Sequence, residues 1–94
     1  MALYLISYDI TSYDRDEYPK LYQTLEEIGS TKILYSEWVL VEDVGKATSI
    51  YNKIAPCVRP NDRLLVQEVT KDAYWDKLLI SDEAFVSLLA SARG

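Results

Sequence analysis

Asp9, Ser36 and Glu37 are the residues whose types and settings could support chemistry. Asp9 closes the run Ile6-Ser7-Tyr8-Asp9-Ile10, near the end of an apolar segment. Two-residue alternation places it on one face with Leu3, Leu5 and Ser7. A carboxylate there is either a ligand for a divalent metal or a local acceptor for the amides of the next turn. Magnesium is commonly held by one or two carboxylates together with water and phosphate. A two-fold axis near Asp9 would add a second copy. Ser36 could help hold a scissile phosphate or a water. Alternatively, Ser36 and Glu37 mark a strand interruption and serve the backbone and solvent.

Other catalytic chemistries are poorly supplied. The chain has no histidine and a single cysteine, Cys57. Structural zinc sites need several such ligands. No histidine is present to activate the Cys57 thiol, which reads as a small apolar side chain. No phosphate-cradling glycine loop or nucleophile elbow is present. Catalysis would run on carboxylates, metal, water and hydroxyls.

The 94 residues allow one domain, with 49% apolar and 27% charged residues. That balance suits a globular chain. A domain this small buries a modest share of its surface, and oligomerisation is a common source of more. The expectation is a homodimer. The first residues carry neither a basic leader nor a long apolar stretch, which predicts no signal peptide and no membrane span. A free thiol fits a reducing cytoplasm. The net charge of −5 works against broad phosphate-backbone binding. Eight tyrosines could stack bases or serve as amphipathic core groups. Arg59, Arg63, Lys71 and Lys77 are scattered among acids and form no basic stripe.

The elements that must position these residues follow from periodicity. Residues 3–10 read as a central strand buried on both faces. Asp14 or Asp16 can cap a helix that has Pro19 in its first turn. Tyr18, Leu21, Tyr22, Leu25 and Ile28 form its apolar stripe, and Gly29 suits its C-terminal end. Residues 31–35 and 37–42 read as strands with a kink or tight turn between them. Asp43 can cap a second helix whose buried stripe is Ala47, Ile50, Tyr51 and Ile54, and Pro56 ends it. Pro60-Asn61-Asp62 is a turn signal, and 63–70 a strand. The order β-α-β-β-α-β is the ferredoxin-like split βαβ arrangement, an α+β sandwich with an antiparallel sheet.

Beyond this core, Trp75, Leu78, Leu79 and Ile80 need burial, as an edge strand or a helical turn. Ser81 can cap a last helix over 82–92 with Phe85, Leu88 and Leu89 inward. This extension, 71–94, could cover the open sheet face or a dimer partner.

The strand ending Tyr8-Asp9-Ile10 and the later run Ile33-Leu34-Tyr35-Ser36-Glu37-Trp38-Val39-Leu40 resemble the small CRISPR-associated adaptation protein. Its relatives include virulence-associated protein D and SinR-like bacterial proteins. The resemblance spans about residues 3–70, as a divergent SinR-like member. It implies a ferredoxin-like fold and a two-fold dimer with sheets side by side. For some members it implies metal-dependent phosphodiester cleavage, with Asp9 on magnesium and Ser36 at the second motif. For others it implies a scaffold. The two expectations are a magnesium-dependent endonuclease acting on nucleic acid and a non-catalytic dimeric interaction module with a protein partner, of toxin–antitoxin or defence-associated kind.

Overall fold

The computed structural model describes residues 1–93. Four strands form one antiparallel sheet: β1 (Ala2–Asp9), β2 (Thr31–Leu34), β3 (Glu37–Glu42) and β4 (Arg63–Val69), in the order β2-β3-β1-β4. Helices α1 (Pro19–Glu27) and α2 (Ala47–Ile54) interleave with the strands, and α3 (Asp82–Arg93) follows them. Element order and strand order are those of a ferredoxin-like α+β sandwich with an added C-terminal helix. None of these helices is long and apolar enough to cross a membrane.

β1 lies between β3 and β4 and is covered on both faces. Its inner face packs Ala2, Tyr4, Ile6 and Tyr8 with Trp38 and Leu40 of β3 against Leu21, Tyr22 and Leu25 of α1 and Ile50 and Ile54 of α2. Its outer face packs Leu3 with Ile33 and Val39 against Phe85, Leu89 and Ala92 of α3. Strand alternation thus divides one strand between two cores.

The helix ends are built differently from the sequence expectation. Asp14 caps a short 3₁₀ turn at Arg15–Glu17, its side chain accepting from the Asp16 amide. The α-helix starts only at Pro19, after an uncapped Tyr18. Asp43 does not cap α2, which begins after Lys46. The buried Tyr4 hydroxyl takes over: it accepts the Lys46 amide at 2.9 Å and donates to the Asp43 carbonyl at 2.6 Å. Tyr51, placed by periodicity in the buried stripe, is exposed. Gly29 does end α1, at φ 88°, a conformation that costs glycine little.

Residues Tyr35 and Ser36 form the turn between β2 and β3, and the register slips between Lys32 and Leu34. The bulge therefore precedes Ser36.

Residues 70–81 contain no strand and no helix. They run as a strap: Trp75, Leu78 and Ile80 pack on the outer core, and the Leu79 amide donates to the Ile33 carbonyl at 2.9 Å. That bond uses an acceptor of β2, an exposed sheet edge otherwise prone to pairing. Leu79's side chain is itself exposed. Trp75 meets Phe85 edge-on at 4.7 Å and donates to Asp82 at 3.0 Å. Ser81 caps α3 by accepting from the Ala84 amide at 3.1 Å. The extension therefore covers its own sheet.

Replacing Tyr4→Phe removes the hydroxyl and leaves Lys46 N–H and Asp43 C=O without their partner. The expected loss is about 1–2 kcal/mol of stability, read as a lower urea midpoint at unchanged slope.

Candidate functional site

The outer face is covered only in part. Antiparallel register sets Asp9 opposite Arg63, and Ser7 opposite both Glu37 and Leu65. Directly opposed residues share a face, so Ser7, Asp9, Glu37, Arg63 and Leu65 lie together on it. α3 and the strap pack at the Leu3–Val69 end; this group occupies the other end.

Asp9 stands at the last position of β1 with its side chain 73% exposed, 3.7 Å from Arg63, itself 84% exposed. Such a surface pair contributes little, on the order of 0–1 kcal/mol. Among the described residues, no backbone amide donates to the Asp9 carboxylate. The local-acceptor role considered from sequence is not the one it plays. Ser7 Oγ donates to Glu37 at 3.2 Å. A shallow depression of about 230 Å³ is lined by Ser7, Tyr8, Asp9, Arg63, Leu64 and Leu65. Ser36 approaches through its backbone: its carbonyl accepts the Tyr8 amide at 3.1 Å. Its side chain does not line the depression. The structure thus brings Ser36 next to β1 but groups Asp9 with Arg63 and Ser7.

A polar latch holds the loops at this end. Arg59 donates to Thr11 Oγ1 at 3.0 Å, and Thr11 Oγ1 lies 2.8 Å from the Tyr18 hydroxyl. Tyr18 donates to Asp62 Oδ2 at 2.7 Å, which also accepts the Arg59 amide at 2.8 Å. The Arg59 guanidinium stacks 4.4 Å above the Tyr18 ring and reaches the carboxylate and carbonyl of Glu17 at 3.0 Å. Thr11 follows Asp9 by two residues and Asp62 directly precedes Arg63. The latch therefore fixes both strand ends that carry the charged pair. Along the sequence Arg59 reads only as one of several scattered basic residues and Asp62 only as part of the Pro60-Asn61-Asp62 turn signal; no local pattern joins them to each other or to Tyr18. Hydrogen bonding from Glu17 is the main influence raising the Arg59 pKa. Desolvation alone would raise that of Asp62. The Arg59 amide, the Tyr18 hydroxyl and the Arg59 charge outweigh it and hold Asp62 below its usual value.

On the opposite face, burial pushes the Tyr8 phenol above its ordinary pKa; the neighbouring Tyr22 adds to the rise and a Trp38 hydrogen bond opposes it. Trp38 Nε1 donates to this hydroxyl at 2.8 Å. Cys57 packs on the inner core, with Sγ 3.4 Å from Thr24 Oγ1, as expected for a small core side chain.

Compared with known proteins, the chain matches no family model and no curated relative.

Asp62 has its pKa depressed by folding, so the unfolded chain binds more protons at acidic pH. The stability this group supplies is complete well above the ordinary carboxyl pKa of about 4, begins to fall as pH drops through that value, and is gone below the folded one. Asp62→Asn should flatten the acid limb of a stability–pH curve while leaving the slope above neutrality unchanged.

Proposed function

We propose that the chain works as a homodimeric interaction module, with the uncovered end of the outer sheet face as its self-association surface. The composition of that end carries the reading. Leu65, 51% exposed on edge strand β4, forms its apolar centre with the partly covered Leu5. Asp9 and Arg63 put both signs of charge at its rim. A two-fold interface meets its own copy, so a patch with an apolar middle and both charges is self-complementary. β4 is also an edge strand, a natural site of further pairing. A protein partner of toxin–antitoxin or defence-associated kind and a reducing cytoplasm, suggested by the free Cys57, complete this reading.

A second reading follows the resemblance to the small CRISPR-associated adaptation protein: a magnesium-dependent endonuclease acting as a homodimer. Its support is Asp9, exposed and free of any backbone amide among the described residues. The carboxylate oxygens of Asp9 suit a hard cation. Among the described residues no three His, Cys, Asp or Glu gather around one point, so one chain offers no ready-made cluster of ligands at Asp9. Asp9 of a second copy, water and a substrate phosphate would complete the shell. Magnesium so held would supply an activated water and charge stabilisation for a leaving oxyanion. Ser36, beside Tyr8, would help position the phosphate.

Sedimentation and magnesium calorimetry together separate the readings. The interaction module requires a dimer that Leu65→Glu converts to monomer, with the far-UV spectrum retained. A chain that is monomeric at high concentration overturns it. The endonuclease reading requires a magnesium heat in the wild type that vanishes in Asp9→Ala, together with metal-dependent cleavage of RNA or DNA.

A further inference from the structure

The helix side of the sheet carries an opening between α1 and α2. It is a cleft of about 570 Å³, within the size range of small-molecule sites. Leu40 of β3 forms its floor, with Ile28 at the end of α1 and Ile50 of α2 beside it. Three charged side chains line it as well: Glu27, Glu42 and Lys53. The topology sorts these charges by sign. β3 and β4 both pair antiparallel with β1, so they run parallel, and α2 crosses back between them. β1 and β2 are both antiparallel to β3, and α1 crosses back between those two. α1 therefore runs in the direction of β3, and α2 runs against it. Glu27 ends α1 and Glu42 ends β3, so both carboxylates stand at one end of the cleft. Lys53, in the last turn of α2, stands toward the other.

These charges do not satisfy one another. Among the described residues, neither glutamate nor Lys53 has an opposite charge within ion-pair distance. One oxygen of Glu27 accepts from Gln23 at 2.9 Å, and one of Glu42 from the Asp43 amide at 3.0 Å. The second oxygen of each has no hydrogen-bond partner among the described residues. α1 also has no basic residue in its last turn, so the partial negative charge of the helix end adds to the two carboxylates. We propose that the cleft binds a linear aliphatic amino acid whose ammonium and carboxylate are several carbons apart. The ammonium meets Glu27 and Glu42, the carboxylate meets Lys53, and the methylenes lie over Ile28, Leu40 and Ile50. Such a ligand brings each end of the cleft the charge it lacks. An α-amino acid, with both charges on one carbon unit, serves one end only. The cleft lies on the opposite side of the sheet from the outer face, so ligand binding is independent of self-association and of the Asp9 metal reading.

The test is an NMR titration of the full chain with ε-aminocaproate, its isomer L-leucine, and the singly charged hexylamine and caproate. ε-Aminocaproate should shift the amides of Ile28, Leu40, Ile50 and Lys53 and saturate with a Kd of about 1 mM or tighter, a modest demand on a ligand of about nine heavy atoms. L-Leucine, hexylamine and caproate should each bind at least about three-fold more weakly, the scale of one solvent-exposed ion pair. Lys53→Ala should weaken ε-aminocaproate by a similar factor but not hexylamine, which has no carboxylate for Lys53 to meet. Glu27→Gln combined with Glu42→Gln should weaken both amines and leave caproate no weaker. A substitution that merely damaged the fold would weaken every ligand alike, so this pattern separates direct contact from unfolding. Lys20→Ala, on α1 but outside the cleft lining, serves as the neutral control. No saturating shift at the cleft residues overturns the proposal. So does L-leucine bound as tightly as its isomer, or an equal loss of hexylamine and ε-aminocaproate on Lys53→Ala.

Discussion

Burial of β1 on both faces is the constraint on which the rest of this structure depends. A central strand with alternating apolar residues presents two greasy surfaces, and each must be removed from water. The inner surface is met by α1 and α2, as the split βαβ order requires. The outer surface, bare in a plain two-layer sandwich, is met by the strap and α3. Phe85, Leu89 and Ala92 are consequently core residues of a second small core rather than decoration on a finished domain.

Buried polar groups then tie the layers together. Phenol groups do this work because each carries a large apolar body and one hydrogen-bonding tip. Tyr4 reaches across from β1 and supplies the cap that α2 lacks. Tyr18 joins Thr11 and Asp62, and so links the loop after β1 to the turn before β4. Tyr8 receives the Trp38 indole. Each phenol links segments distant in sequence, so a single hydroxyl orders two loops or elements at once.

The same division of the outer face explains where interaction chemistry can sit. The strap and α3 cover the Leu3–Val69 end, so Asp9, Ser7, Glu37, Arg63 and Leu65 remain at the other. The latch beneath them holds their strand ends at a fixed separation.

Much of this architecture was legible along the chain. Periodicity marked the strands and helices, Gly29 and Ser81 marked helix ends, and the order β-α-β-β-α-β implied the sheet. These are local signals: a residue's neighbours in sequence decide its face, its cap and its turn. The alternation through Ser7-Tyr8-Asp9 placed Asp9 on the correct face for the same reason. Other features depended on partners far away in sequence. Asp14 and Asp43 have the chemistry of caps, but a 3₁₀ turn and the Tyr4 hydroxyl displaced them. Tyr51 kept the helical spacing yet faces water, because α2 turns only Ile50 and Ile54 fully into the core. Asp9 could equally have capped the next turn; sheet register set it beside Arg63 instead. Sequence alone determined which elements form and in what order. The tertiary structure decided which side of the sheet the last helix covers, which phenols serve as caps and latches, and which charges share a surface, because those outcomes depend on contacts between residues dozens of positions apart.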